Sequence, residues 1–158
     1  MENVSVQDIV RATGGMLLSG NSDALLNKIR LDSRQVEAGD LFVPIIGEKV
    51  DAHRFLPQVA ENGAGAVLTS EQNAKTEEME KTSCAWIAVD DTKKALQAVG
   101  RYLRKRLTLP IVGVTGSVGK TTTREMIAAA LSARYNVYKT PGNSNSQVGV
   151  PTTVSEIT

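Results

Sequence analysis

The stretch "GVTGSVGKTTTREM", Gly113 to Met126, holds the residues best suited to chemistry. Gly116 and Gly119 let a backbone turn sharply, with the amides of Ser117 and Val118 pointing inward and room for phosphate oxygens to approach closely. A helix starting near Lys120 adds its positive N-terminal end. Lys120 can reach the β- and γ-phosphates of a nucleotide as a point charge, and is the candidate catalytic residue. The Thr121 hydroxyl can ligate the Mg2+ of Mg-ATP. Thr122 lines or caps the loop, and Thr123 either does the same or packs the helix. The strict phosphate-loop pattern places a glycine where Val114 stands, so the form here is TGxxGKTT. A plain strand-to-helix turn with an incidental lysine is the competing reading. The apolar run before the loop and the helical pattern after it favour phosphate.

The loop must be held by a strand and a helix. "IVGVTG" reads as a buried strand, "KTTTREMIAAALSARY" as a helix with Met126, Ile127, Ala130 and Leu131 on one face, and "NVYKT" as a further strand. Upstream, Ser5 and Asp8 make a capping pair for a short helix that Gly14 and Gly15 stop. "MLLSGN" and "NKIRLDS" read as strands around the turn "GNSD". "QVEAGD" reads as a turn, "LFVPII" as a buried strand, "GEKVDAHR" as a loop, "FLPQVAENGA" as a helix, and "GAVLTS" and "AWIAVD" as strands. The polar "EQNAKTEEMEK" fits a helix or a surface loop. "TKKALQAVGRYLRKRL" is an amphipathic helix, with Ala95, Leu96, Val99, Tyr102 and Leu103 at helical spacing. Pro110 breaks that pattern and marks the best boundary. The chain therefore reads as α/β, with a small domain over 1–108 and the start of a parallel α/β nucleotide-binding domain over 109–158.

Composition excludes several function classes. The 158 residues are 41% hydrophobic and 22% charged, with 18 basic and 17 acidic side chains giving a formal charge of +1. Such a balance argues against a nucleic-acid arm or a polybasic membrane patch. The run "RYLRKRL" is expected to decorate one helix face. The single cysteine, Cys84, is expected to be buried and reduced. No signal architecture or apolar span is evident, so the chain is expected to be cytoplasmic.

Three separated motifs, in order, resemble the Mur ligases, the amide-forming enzymes of peptidoglycan precursor synthesis. "VTGSVGKTTT" resembles their ATP loop, which also lacks the strict first glycine. "LDSRQVEAGDLFVPIIGEKVDAHRFLPQVAENGAGAVLTS" resembles their N-terminal substrate domain, with its DSR, GDLF and Gly-x-x-x-Asp-Gly-His segments. "TPGNSNSQVGVPTT" resembles GNxNNxxGxPLT, the form found in the members that add D-alanyl-D-alanine. The resemblance runs from about Ser5 to Thr153. Ala52 replaces the usual glycine before the histidine, Ser146 the second asparagine of the NN pair, and Thr152 a leucine.

The resemblance implies an ATP- and Mg2+-dependent ligase that phosphorylates the terminal carboxylate of a UDP-N-acetylmuramoyl-tripeptide. The amine of D-alanyl-D-alanine then attacks the acyl phosphate. It places Ser33 and Arg34 of the DSR motif at the UDP-sugar site, where Arg34 either contacts substrate or pairs with Asp32 to hold a turn. Asp32 itself is read as a turn former, as is Asp40, with Leu41 and Phe42 in the core. Gly47, Asp51 and His53 are carried over as substrate-site residues. His53, the single histidine, is read first as a loop-ordering hydrogen bonder, since no second ligand for a metal lies near it in sequence. Asn143 and Asn145 are carried over as substrate-binding residues past the end of a strand, where open α/β sheets take ligands. Gly149 and Pro151 are read as setting backbone shape.

The resemblance also implies a magnesium-binding glutamate, a modified lysine, a histidine and the acceptor domain beyond Thr158. The chain is thus expected to be an N-terminal piece, inactive in ligation alone. Alternatives are another Mur-type ligase, such as the one adding the third peptide residue, a non-catalytic module binding UDP-muramoyl precursors, or a generic P-loop ATPase.

Overall fold

Alternation within short apolar runs decides the architecture. A strand sends successive side chains to opposite faces, so a run that is apolar at every position must be covered on both. Leu41, Val43, Ala66, Leu68, Ala85 and Ile87 enter one core, and Phe42, Val67 and Trp86 enter another. The computed structural model describes residues 1–48, 50–70, 76–142, 144 and 146–157. Among these, β1 (Met16–Ser19), β2 (Ile29–Arg30), β3 (Leu41–Phe42), β4 (Ala66–Thr69) and β5 (Ala85–Ala88) form one sheet in the order β1-β5-β4-β3-β2. β2 through β5 are parallel, and β1 joins β5 antiparallel at the edge.

The first core lies under α1 (Val6–Thr13) and α4 (Thr92–Arg106), through Val6, Ile9, Leu96, Val99 and Leu103. The second lies under α2 (Leu56–Glu61), through Leu56, Val59 and Ala60, with Met79 of the short α3 (Thr76–Met79) at its margin. The expected capping box on α1 is present: Asp8 N–H donates to Ser5 Oγ (3.2 Å) and Ser5 N–H to Asp8 Oδ2 (3.0 Å). Asp91 caps α4, its Oδ1 accepting from Lys93 N (2.9 Å) and Lys94 N (3.0 Å). Arg104, Lys105 and Arg106 close α4 as an exposed basic face, favourable at a helix C-terminus. Cys84 is buried in the second core, as expected, and burial pushes its thiol up to about 12. Among the described residues no helix is long and apolar enough to cross a membrane.

Several elements differ from the sequence reading. The segments "MLLSGN" and "NKIRLDS" do not pair but take opposite edges of the sheet. The intervening chain bonds instead to the N-terminal arm, through Val6 N to Ala24 O (3.0 Å) and Leu26 N to Val4 O (2.9 Å). The run 111–116 is not a strand, and neither is 136–140. A strand needs a neighbour to complete its ladder, and no described strand lies alongside either run. Ile111 and Val112 are exposed, and α5 (Lys120–Ser132) buries none of its residues; Met126, placed on its apolar face, is 68% exposed.

The stretch read as shaped backbone is instead α6 (Gly149–Glu156), with Pro151 in its first turn, where a missing N–H costs nothing. It packs across α4. A Cβ on Gly100 would lie 2.8 Å from Pro151 Cβ and 2.9 Å from its Cα, so glycine is what allows the two helices to approach this closely.

Candidate functional site

The candidate phosphate loop is built around a helix start left open. Gly119 takes the left-handed conformation (φ +80°) that L side chains rarely adopt, and precedes α5 without any side-chain cap. The helix ladder begins with Thr123 N–H donating to Gly119 O (2.9 Å). The amides ahead of it face outward at the positive end of the helix. The Lys120 ammonium folds back and donates to Gly116 O, which holds it over the loop that a phosphate would enter. Ser117, Val118, Thr121 and Thr122 are all exposed around it. An uncapped helix start, one ammonium and the exposed Ser117, Thr121 and Thr122 side chains make a set of groups that could receive an anion.

The chain after α5 returns to that helix. Arg124 donates to Gly142 O (2.9 Å) and to Glu125 Oε1 (2.9 Å), while Lys139 pairs with Glu125 Oε2. Lys139 and then Arg124 hold the Glu125 carboxyl below its usual range. Asn143 and Asn145 lie outside the described residues. Ser146 lies between them and α6, and its Oγ accepts from Gly149 N–H (2.9 Å), the helix-start bond that an asparagine can also make.

The first-segment candidates line the C-terminal edge of the parallel strands. Ser33 and Arg34 follow β2, Gly47, Asp51 and His53 follow β3, Ser70 follows β4, and Asp90 follows β5. Asp32 starts a 3-10 turn over Ser33–Gln35, accepting from Arg34 N (3.0 Å), while the Arg34 guanidinium lies across its carboxylate (2.6 and 2.9 Å). The Arg34 side chain is 86% exposed, so the pair sits at the surface. Gly47 N–H donates to Val50 O (3.0 Å) and closes the next loop. Asp51 starts a second 3-10 turn (Ala52–Phe55), accepting from His53 N (2.9 Å) and contacting His53 Nδ1 (2.6 Å). Burial pushes the Asp51 carboxyl up, but the His53 amide and ring outweigh it and hold it below the usual range.

His53 borders a cleft of about 290 Å³, with Ile45, Ile46, Ser70, Asp90, Asp91, Thr92 and Lys93. The Ser33–Arg34 turn and the phosphate loop lie outside its walls. A wider depression, about 620 Å³, sits at the other end of the strands between Met1 and Asp40. It contains none of the candidate residues. Its buried carboxylate, Asp40, is 1% exposed and already accepts from Lys28 N (3.1 Å), Arg30 Nε (2.9 Å) and Glu37 N (3.1 Å). That bonding makes it the turn holder expected from sequence. We therefore place the site at the C-terminal edge.

Two family models match the chain: "Mur ligase family, catalytic domain" over residues 26–103 and "Mur ligase middle domain" over 114–158. A UDP-N-acetylmuramoyl-tripeptide–D-alanyl-D-alanine ligase of Synechocystis is 44% identical over 87% of this chain and 29% of its own length. The Bacillus subtilis protein of that name is 38% identical over 95% of the chain and 32% of its length. Among solved structures, MurF from Acinetobacter baumannii superposes with a TM-score of 0.85 at 33% identity, covering 100% of this chain and 34% of that one. MurF from Thermotoga maritima, in complex with ADP, superposes at 0.73 with 30% identity, covering 87% and 31%. The chain spans about a third of the length of the curated relatives it matches.

Proposed function

The chain belongs to the Mur ligase family, and from that membership we propose that it carries the UDP-substrate segment and the phosphate loop of a D-alanyl-D-alanine-adding ligase. The reaction is ATP-dependent amide formation between a UDP-N-acetylmuramoyl-tripeptide and D-alanyl-D-alanine, in the cytoplasm. The carboxylate oxygen bonds to the γ-phosphorus as ADP leaves. The dipeptide amine then bonds to the acyl carbon as phosphate leaves, giving up its proton. The observation that carries this reading is the uncapped start of α5 behind Gly116 and Gly119, with Lys120 folded over the loop.

Mg-ATP supplies the phosphoryl group that turns a poor electrophile into a good one. Its fit rests on donors: the backbone of Gly116 to Gly119 and the Thr122 amide would hold phosphate oxygens. Lys120 would leave Gly116 O for the transferring group, and the exposed Thr121 hydroxyl would take Mg2+. Ser33, Arg34, Gly47, Asp51 and His53 form the proposed UDP-substrate edge, and Asn143 and Asn145 are proposed as further substrate-binding residues. The two matched spans, 26–103 and 114–158, fall on either side of the boundary proposed near residue 108.

The test is nucleotide and UDP-sugar titration of this chain. Lys120→Ala is expected to weaken ADP or ATP binding by about tenfold or more. Its melting point should not change, because the Lys120 amine bonds only within an exposed loop. Equal nucleotide affinity in the two proteins would refute the assignment of Lys120.

A further inference from the structure

We propose that Tyr138 is a positioning residue: by binding Glu156 it fastens the chain after α5 to α6, and so fixes where the phosphate loop stands relative to the strand edge. The inference rests on the reading of that loop and that edge given above, and names what joins them.

The linker ahead of the loop supplies little hold. Residues 108–118 belong to no helix or strand and, among the described residues, make no backbone–backbone hydrogen bond. α5 buries none of its residues. Placement must therefore come from the chain that follows it.

That chain is gripped on two sides. Lys139 pairs with Glu125 of α5, and Gly142 O accepts from the Arg124 guanidinium (2.9 Å). The neighbouring Tyr138 is taken by the other helix, its hydroxyl donating to Glu156 Oε2 (2.7 Å). Among the described residues this is the single hydrogen bond that joins residues 108–142 to the sheet, to the helices on it or to α6. α6 is itself well seated. Its Pro151, Thr153 and Ser155 are buried, Val154 packs on the first core, and Pro151 lies against Gly100.

The chain enters α6 at Gly149, whereas Glu156 is its last residue. Peptide continuity holds one end of the helix and Tyr138 the other, about 10 Å away at 1.5 Å per residue. Two separated attachments stop a segment from swinging, which one does not. The bond has a charged acceptor, the stronger kind. Burial, and then the Glu156 contact, push the phenol up to about 12, so it stays a donor at neutral pH. Orientation matters because the carboxylate must meet the γ-phosphate, and a misplacement of about 1 Å can cost about a hundredfold in rate.

The test measures the distance from Trp86 to a dansyl acceptor on Met126→Cys of α5. Trp86 is the single tryptophan, and Cys84 is too buried to compete for the label in the folded chain. With Tyr138 intact, the time-resolved donor decay should give one narrow distance. Tyr138→Phe and Glu156→Ala should each replace it with a broad distribution, and together they should broaden it no further. Glu156→Gln should keep the narrow distance, because its amide oxygen still accepts. The Trp86 melting transition should stay put in every variant, whereas a merely structural role would lower it. Should Tyr138→Phe fail to fold, Glu156→Gln against Glu156→Ala makes the same comparison. A narrow distance that survives loss of the bond, or a broad one with Tyr138 intact, overturns the proposal. An ADP titration judges the underlying reading separately. Tyr138→Phe should bind ADP as the unaltered chain does, because its partner lies in α6 and not in the loop. Weaker ADP binding by Tyr138→Phe would place its action in the loop and overturn the proposal too. An unaltered chain that binds no ADP overturns the phosphate-loop reading, while the distance still decides the role of Tyr138.

Discussion

Arg34 holds the Asp32 carboxyl at about 2, first through its guanidinium and then through its backbone N–H. A carboxyl depressed in the folded chain steadies its turn at neutral pH. That contribution is complete above the ordinary carboxylate value of about 3.9 and disappears as pH falls through the folded value. Arg34→Ala should therefore return the Asp32 midpoint toward about 3.9, read by carbonyl NMR titration. An unchanged midpoint would mean that the guanidinium does not set it. Arg34 is also the proposed contact for an anionic substrate, so a bound phosphate would have to draw it from Asp32, raising the carboxyl's pKa on binding. Residue types alone made the turn legible, because Asp-x-Arg at a strand end can close on itself. They left open which partner Arg34 takes, since a fully exposed guanidinium can serve either.

Elements were legible where local chemistry was complete. α1 has its capping box, and α4 has its Asp91 cap, apolar stripe and basic end, so each carries its own boundaries in sequence. β3 through β5 were legible because their apolar runs are short and bounded by turns. The run 111–116 is similarly apolar and 136–140 carries the strand-prone Val137 and Tyr138, but a strand is defined by its neighbour, and composition does not name one. α6 was illegible for the opposite reason: glycine and proline suggest a break, whereas Pro151 occupies a first turn and Gly100, 51 positions earlier, makes room for it. Gly100→Ala tests that seam by sign. Helix propensity alone would stabilise α4 by about 1 kcal/mol. The close approach to Pro151 backbone predicts a net loss of about 1 kcal/mol, within the range for overpacking. The denaturation midpoint decides between them.

At the scale of the molecule, the chain divides by how much each part buries. The sheet and its covering helices hold both cores, and α6 is fastened to them across α4. α5 contributes no buried residue, so its helicity rests on its own ladder and on exposed pairs with Lys139 and Gly142, a marginal footing in water for a helix of 13 residues. The single tryptophan, Trp86, is wholly enclosed in the second core, far in chain order from α5. Its emission is therefore a private thermometer for the sheet, while far-ultraviolet dichroism averages over every helix. On heating, the dichroism should begin to fall before the tryptophan emission shifts red, and coincident curves would show a single cooperative unit. A titration followed by both signals would also sort ligands without any label. One that fills the phosphate loop should raise the early dichroic step, and one that fills the strand edge should raise the later fluorescent one.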